Sequence, residues 1–297
     1  MKKKTVVISL VIISAILAFI FFGVVLYMAL SGGTNMQVMH FGNSVARINL
    51  YGEIYDSRNF VRQVEKYTSD NSIKAIVVDI NSPGGGVAPS HEMYTALLKA
   101  REEGKIVVAS FSSVAASGGY YVGCAADRIV SNPGCLTGSI GVILSFPTAS
   151  KLMDKIGVRW ETITSGELKD VGNFSRDMTE QEGRMLKAVI DDVYEQFVEA
   201  VSLGRDKPVE EVYALADGSI FSGRQAYNLG LVDTLGTLDD AITIAGEMSG
   251  LGSDPDVVIE RPREPGLFDF LTGLTRIMEQ MSNIDARSQG LMYLYSH

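Results

Sequence analysis

Two short runs, IKAIVVDI (73–80) and KIVVASF (105–111), constrain this chain more than any other feature. Both are apolar, β-branched and almost free of alternation, as strands covered on both faces require. The segments around them have a different period. DSRNFVRQVEKYTSD (56–70) sets Phe60, Val61, Val64 and Tyr67 at helical spacing behind Asp56 or Ser57 as a cap, and SHEMYTALLKAREEG (90–104) is an amphipathic helix ending at Gly104. VARINL (45–50) and RIVS (128–131) read as further strands, as do SIGVIL (139–144) and VRWETIT (158–164). PTASKLMDKIG (147–157) reads as a helix. The strongest helix signal is 179–205, with a capping-box-like Thr179–Glu182 start and an apolar face that includes Leu186, Val193 and Phe197. Shorter helices follow in VEEVYALA, SGRQAYNLG and TLDDAITIAGEMSG. Strands alternating with helices predict an α/β domain with a largely parallel sheet.

Val6–Leu30 holds 25 residues without a charge. At ~1.5 Å per residue it covers a hydrocarbon core of ~30 Å. The rival is a cleavable signal peptide, for which Ala29-Leu30-Ser31 is the one passable cleavage site and the run is too long. The reading is a retained single-pass anchor with Lys2, Lys3 and Lys4 in the cytoplasm and the rest of the chain outside it. The expected organisation is 1–31 lysines and anchor, 32–44 linker, 45–250 the α/β domain, and 251–297 a C-terminal extension that starts proline-rich and charged. Residues 5–297 carry 23 basic and 35 acidic groups, which argues against nucleic acid as a partner. Cys124 and Cys135 are the only cysteines. They match no zinc motif, and either a disulfide or two buried thiols fits them.

Two loops follow the buried runs. NSPGGG (81–86) has three consecutive glycines whose N–H groups no side chain covers, suited to an oxyanion or simply to a turn; no P-loop pattern accompanies it. In SSVAASGGY (112–120), Ser117 opens a helix-like run. It is either an ordinary N-cap or a nucleophile beside backbone donors. The small residues Ala115, Ala116, Gly118 and Gly119 around it leave room for a peptide. A Ser-His-Asp triad is poorly supplied, because the three histidines are His40 in the linker, His91 at a helix start and the terminal His297. Lysine is the alternative base. Lys151, Lys155 and Lys187 sit among polar neighbours on helices, whereas Lys169 lies in the glycine-flanked loop TSGELKDVGNFSRDMT (164–179), either as a base or as a surface lysine.

NSPGGGV, SSVAASGGYYVGCAADRIVSNPGCLTGSIGV and SGELKDVGNFSRDMT, in that order behind one anchor, resemble the signal peptide peptidases of the SppA type in their short, single-domain form, over roughly residues 45–250. The resemblance implies a crotonase- and Clp-protease-like fold of repeated ββα units, so that 45–250 would be a Ser/Lys peptidase domain. It places the nucleophile on Ser117, the base on Lys169, oxyanion donors on Gly84 or Gly85 with Gly118, and a lysine-bonding serine on Ser139. It implies no metal or cofactor, a ring-shaped homo-oligomer in which serine and lysine can come from neighbouring protomers, and remnant signal peptides or other hydrophobic peptides as substrates at the cell membrane. Activity should then rise with pH as the amine loses its proton. Asn173-Phe174 and the two cysteines depart from the smaller residues common there, and Phe174 bears on the groove. The end LMYLYSH is apolar and peptide-like, suited to docking in a groove. The competing readings are an acyl-CoA enzyme of the crotonase kind, disfavoured by placement outside the cytoplasm, and a non-catalytic scaffold of the same fold.

Overall fold

The computed structural model describes residues 16–23, 42–260 and 292–294. The chain divides into two units; 42–260 and 292–294 belong to one, and 16–23 to the other. Residues 16–23 are helical with exposed side chains, and the remainder of the expected anchor at Val6–Leu30 lies outside the described residues, as do His40 and His297. Among the described residues no helix is long and apolar enough to cross a membrane.

The larger unit is a mixed α/β structure on one central sheet. Its middle is β1 (Ser44–Tyr51), β2 (Ile73–Ser82) and β4 (Ile106–Ala116), all parallel. β4 is long enough to use its far edge twice. Val108–Phe111 pairs in parallel with β5 (Arg128–Ser131), and Val114–Ala116 with β6 (Leu136–Gly138). β7 (Ile220–Ser222) runs antiparallel to β6, β8 (Thr234–Leu235) joins β5, and β9 (Val257–Ile259) joins β1. The sheet therefore reaches past residue 250.

Alternate residues of the central strands feed two cores, which is why their sequences read as unbroken apolar runs. Ala46, Ile48, Ile76, Val78, Val107 and Phe111 face one core. There they meet α1 (Arg58–Ser69), α2 (Val87–Glu102) and the long α5 (Glu180–Arg205) through side chains such as Phe60, Leu97 and Phe197. Val45, Ala75, Val77 and Val108 face the other, against Ala241 and Ala245 of α8 (Leu238–Met248). Between α2 and α5 lie α3 (Gly118–Gly123) and α4 (Ser150–Ile156), and between α5 and α8 lie α6 (Val209–Tyr213) and α7 (Gly223–Asn228).

Three expectations are corrected. The strand expected at 139–144 does not form; the strand there is β6, which precedes that stretch and ends at Gly138, where Ser139 with φ 50° breaks the extended run. Residues 158–164 alternate in sequence but form no strand; all seven are exposed, and among the described residues no partner strand faces them. The glycine loop is itself a strand, β3 (Gly84–Gly86), bridged in parallel to Ile54 and paired antiparallel with β10 (Met292–Leu294).

Candidate active site

The site is built where β4 ends. Ser117 links β4 to α3 with φ 51° and ψ −119°, a conformation costing a non-glycine residue about 1–3 kcal/mol. Two hydrogen bonds impose it: the Ser117 N–H donates to the Gly138 carbonyl at 2.8 Å, and its carbonyl accepts from the Tyr121 N–H at 2.8 Å. The hydroxyl makes no capping bond, so the N-cap reading of this serine fails. A serine forced onto a strained strand-to-helix turn is how hydrolases present a nucleophile, although no G-x-S-x-G sequence is present.

Gly119 owes its identity to packing, since a Cβ there would stand 2.8 Å from the Ser82 carbonyl oxygen. The close approach holds α3 against the start of the glycine strand. Within that strand, the Gly84 N–H donates to Ser82 Oγ at 3.1 Å and the Gly86 N–H to the Ile54 carbonyl at 2.7 Å. Gly85 is the most constrained: φ is 158°, and a Cβ would lie 2.2 Å from the Ile54 oxygen.

Ser139 is brought close to Ser117 by the register of β4 and β6, in which Ala116 faces Gly138. Its N–H donates to the Ser219 carbonyl at 2.8 Å. It also lines an open cleft of about 530 Å³ with Ile143, Lys187, Tyr194 and Asp217. Ser117 does not line that cleft.

Among the described residues no hydrogen bond joins Lys169 to Ser117. The lysine is exposed, and its ammonium makes no hydrogen bond or ion pair among the described residues. Its loop is nonetheless anchored. Arg176 donates to Asp170 at 2.7 Å and grips Glu182 on α5 with both terminal nitrogens. Glu182 is 1 % exposed and completes the capping box with Thr179. The Arg176 hydrogen bonds, then the Thr179 N–H, hold its carboxyl down at about 2. The sequence showed the box but not Arg176, which follows no local spacing rule. Replacing Arg176 with Met should lower kcat/KM about 10–100-fold by letting the Lys169 loop drift. A depressed carboxyl stabilises the fold above its ordinary value of 4.5 and loses that contribution as pH falls toward about 2. The variant should therefore be less stable than the parent at neutral pH, with the gap closing near pH 2 in acid-unfolding curves.

His91 places its Nδ1 2.9 Å from the Tyr121 hydroxyl. Cys124 and Cys135 are free and buried, and burial pushes both thiols up to about 12. Phe174 is half-exposed and meets Trp160 edge-on, with centroids 5.5 Å apart.

A strained serine at a strand-to-helix turn, packed against a glycine strand, is an arrangement suited to a serine hydrolase. Residues 99–252 match the model of peptidase family S49. A provisionally named protease of Synechocystis sp. is 44 % identical over 244 residues, covering 80 % of this chain and 86 % of that one. A provisionally named signal peptide peptidase SppA of Enterococcus faecium is 37 % identical, covering 65 % of this chain and 57 % of that one. The chloroplastic serine protease SPPA of Arabidopsis thaliana is 31 % identical over 89 % of this chain, which spans only 40 % of that protein. The chain belongs to peptidase family S49 and is an SppA-like serine peptidase.

Proposed function

We propose that this peptidase cleaves remnant signal peptides and other hydrophobic peptides with a Ser117–Lys169 dyad, anchored in the cell membrane by Val6–Leu30 with its catalytic domain outside the cytoplasm. The observation that carries the reading is the strained, uncapped Ser117 beside the glycine strand. Neutral Lys169 takes the Ser117 proton as Oγ attacks the peptide carbonyl. Backbone N–H groups of the glycine strand and Gly118 stabilise the oxyanion, each essential donor being worth about 3–4 kcal/mol. For Gly84 this requires exchanging its bond to Ser82. The protonated lysine then serves the leaving amine, and water releases the acyl group. Ser139, on its own positive-φ turn, would orient the lysine. The crotonase-like arrangement of ββα units belongs to the same proposal.

Lys169 reaches a serine, in this reading, on a neighbouring copy within a ring. The stretch that carries it exposes Leu152, Ile156, Trp160 and Ile163, the last wholly exposed, an apolar surface suited to a second copy of the chain. The test mixes two inactive variants, Ser117→Ala and Lys169→Ala, and assays a fluorogenic signal-peptide sequence in detergent. Regain of about a quarter of parental activity on mixing is expected, as one intact serine–lysine pairing in four from random assembly would give. A mixture as inactive as its components would sink the shared dyad.

A further inference from the structure

Between Phe111 and Ala115, β4 falls out of step with β2. Ile80 faces Phe111 and Ser82 faces Ala115, so β4 advances four residues while β2 advances two. Such a bulge leaves ladder groups without backbone partners and bends the strand that carries it. In the same stretch the far edge of β4 changes partner, from β5 at Phe111 to β6 at Val114. Ser117 follows three residues later, and the hydrogen bond from its N–H to the Gly138 carbonyl continues the β6 pairing. Two side chains of β2 fill the gap in the ladder. Asn81 Oδ1 accepts from the Val114 N–H at 3.2 Å, and Asp79 Oδ1 accepts from the Ser112 hydroxyl at 2.9 Å. Both acceptors are themselves held. The Asn81 carbonyl accepts from the Gly52 N–H at 2.9 Å. The Asp79 carboxylate, 3 % exposed, accepts on its other oxygen from Arg47 at 2.6 Å and from the Tyr51 hydroxyl. β1, β2 and β4 are thereby tied together at the level of the bulge.

We infer that Asn81 and Asp79 are positioning residues for Ser117: they clamp the β4 bulge, and the bulge aims the end of β4 so that the serine meets its substrate at the right angle. They act through the β4 backbone and touch no reacting atom. This role rests on the reading of Ser117 as the nucleophile. A reacting atom displaced by about 1 Å costs about 100-fold in rate, so a loosened bulge should be felt at the serine before it is felt in the fold.

The experiment compares the full chain with Asn81→Leu, which keeps the size and removes the acceptor, with Asn81→Asp, which keeps the acceptor, and with Asn81→Leu combined with Ser112→Ala. Asn81 is exposed and Ser112 half-buried, so these chains should fold. Val64→Ala, a core change in α1 remote from the bulge, controls for lost stability. A fluorogenic peptide gives kcat and KM, and hydrogen exchange is followed at the Ser117 amide. Asn81→Leu should lower kcat about 10-fold and the double variant about 100-fold, with KM within about twofold, because only the reacting geometry changes. Asn81→Asp should restore kcat to within about threefold of the parent, and Val64→Ala should leave kcat unchanged while lowering Tm. The Ser117 amide should exchange about 10-fold faster in the double variant than in the parent. A double variant with kcat within about twofold of the parent, an Asn81→Asp variant no better than Asn81→Leu, or unchanged exchange at Ser117 overturns the clamp. If Ser117→Ala keeps parental activity, the nucleophile reading falls on its own, and exchange at the residue 117 amide still decides whether Asn81 and Asp79 hold the bulge.

Discussion

Ser117→Ala should lower kcat by about 10⁴–10⁶-fold, the loss seen when a serine peptidase is deprived of its nucleophile, and leave substrate affinity nearly unchanged. The fold should survive, because alanine keeps the Cβ and makes the same backbone bonds to Gly138 and Tyr121. The positive φ of 51° adds a second arm. Ser117→Gly should be just as inactive yet more stable than Ser117→Ala by about 1 kcal/mol, since glycine adopts that region without strain. Lys169→Ala should match the serine variant, and the double variant should be no worse, because groups that act as a unit do not add. Steady-state rates on a fluorogenic peptide, with unfolding curves for each variant, read both effects. Activity of Ser117→Ala within 10-fold of the parent would exclude this serine as nucleophile.

The largest structural effect should come from Gly85→Ala. The added Cβ would meet the Ile54 oxygen at 2.2 Å and its nitrogen at 2.6 Å, and neither is a movable side-chain end. Backbone strain and overpacking together should cost about 3 kcal/mol or more, lowering Tm by about 6–12 °C for a domain of this size. Gly119→Ala, with its nearest contact at 2.8 Å, is the milder control. Scanning calorimetry decides it: Gly85→Ala with an unchanged Tm would mean that the strand tolerates a side chain and that Ile54 does not define its position.

The central strands were legible because both faces of the sheet are covered, so Ile76 to Ile80 had to be apolar at nearly every position. Where a strand depends on partners, the sequence was silent or misleading. VRWETIT alternates, yet among the described residues no strand pairs with it, and period alone does not make a sheet. Three glycines carry no β preference, and β3 exists because Ile54 and residues 292–294 hold it. Ser117 stood out through the small residues around it. Lys169 had no such signature, and its loop is held by Arg176 through contacts that only the folded chain creates. Gly119 was read as space for a peptide, whereas its room is taken by the Ser82 backbone.

The twofold use of the far edge of β4 sets how independently the parts of the site can open. Ser117 is stitched by its amide to Gly138 at the end of a strand paired along both sides, so it belongs to the most cooperative unit of the domain. Freeing it costs nearly the whole unfolding free energy. Lys169 sits in a surface turn closed by the hydrogen bond its backbone N–H donates to the Gly166 carbonyl at 3.1 Å, and such turns open at a small fraction of that cost. One half of the proposed dyad is as permanent as the fold, and the other can be made and unmade while the fold persists.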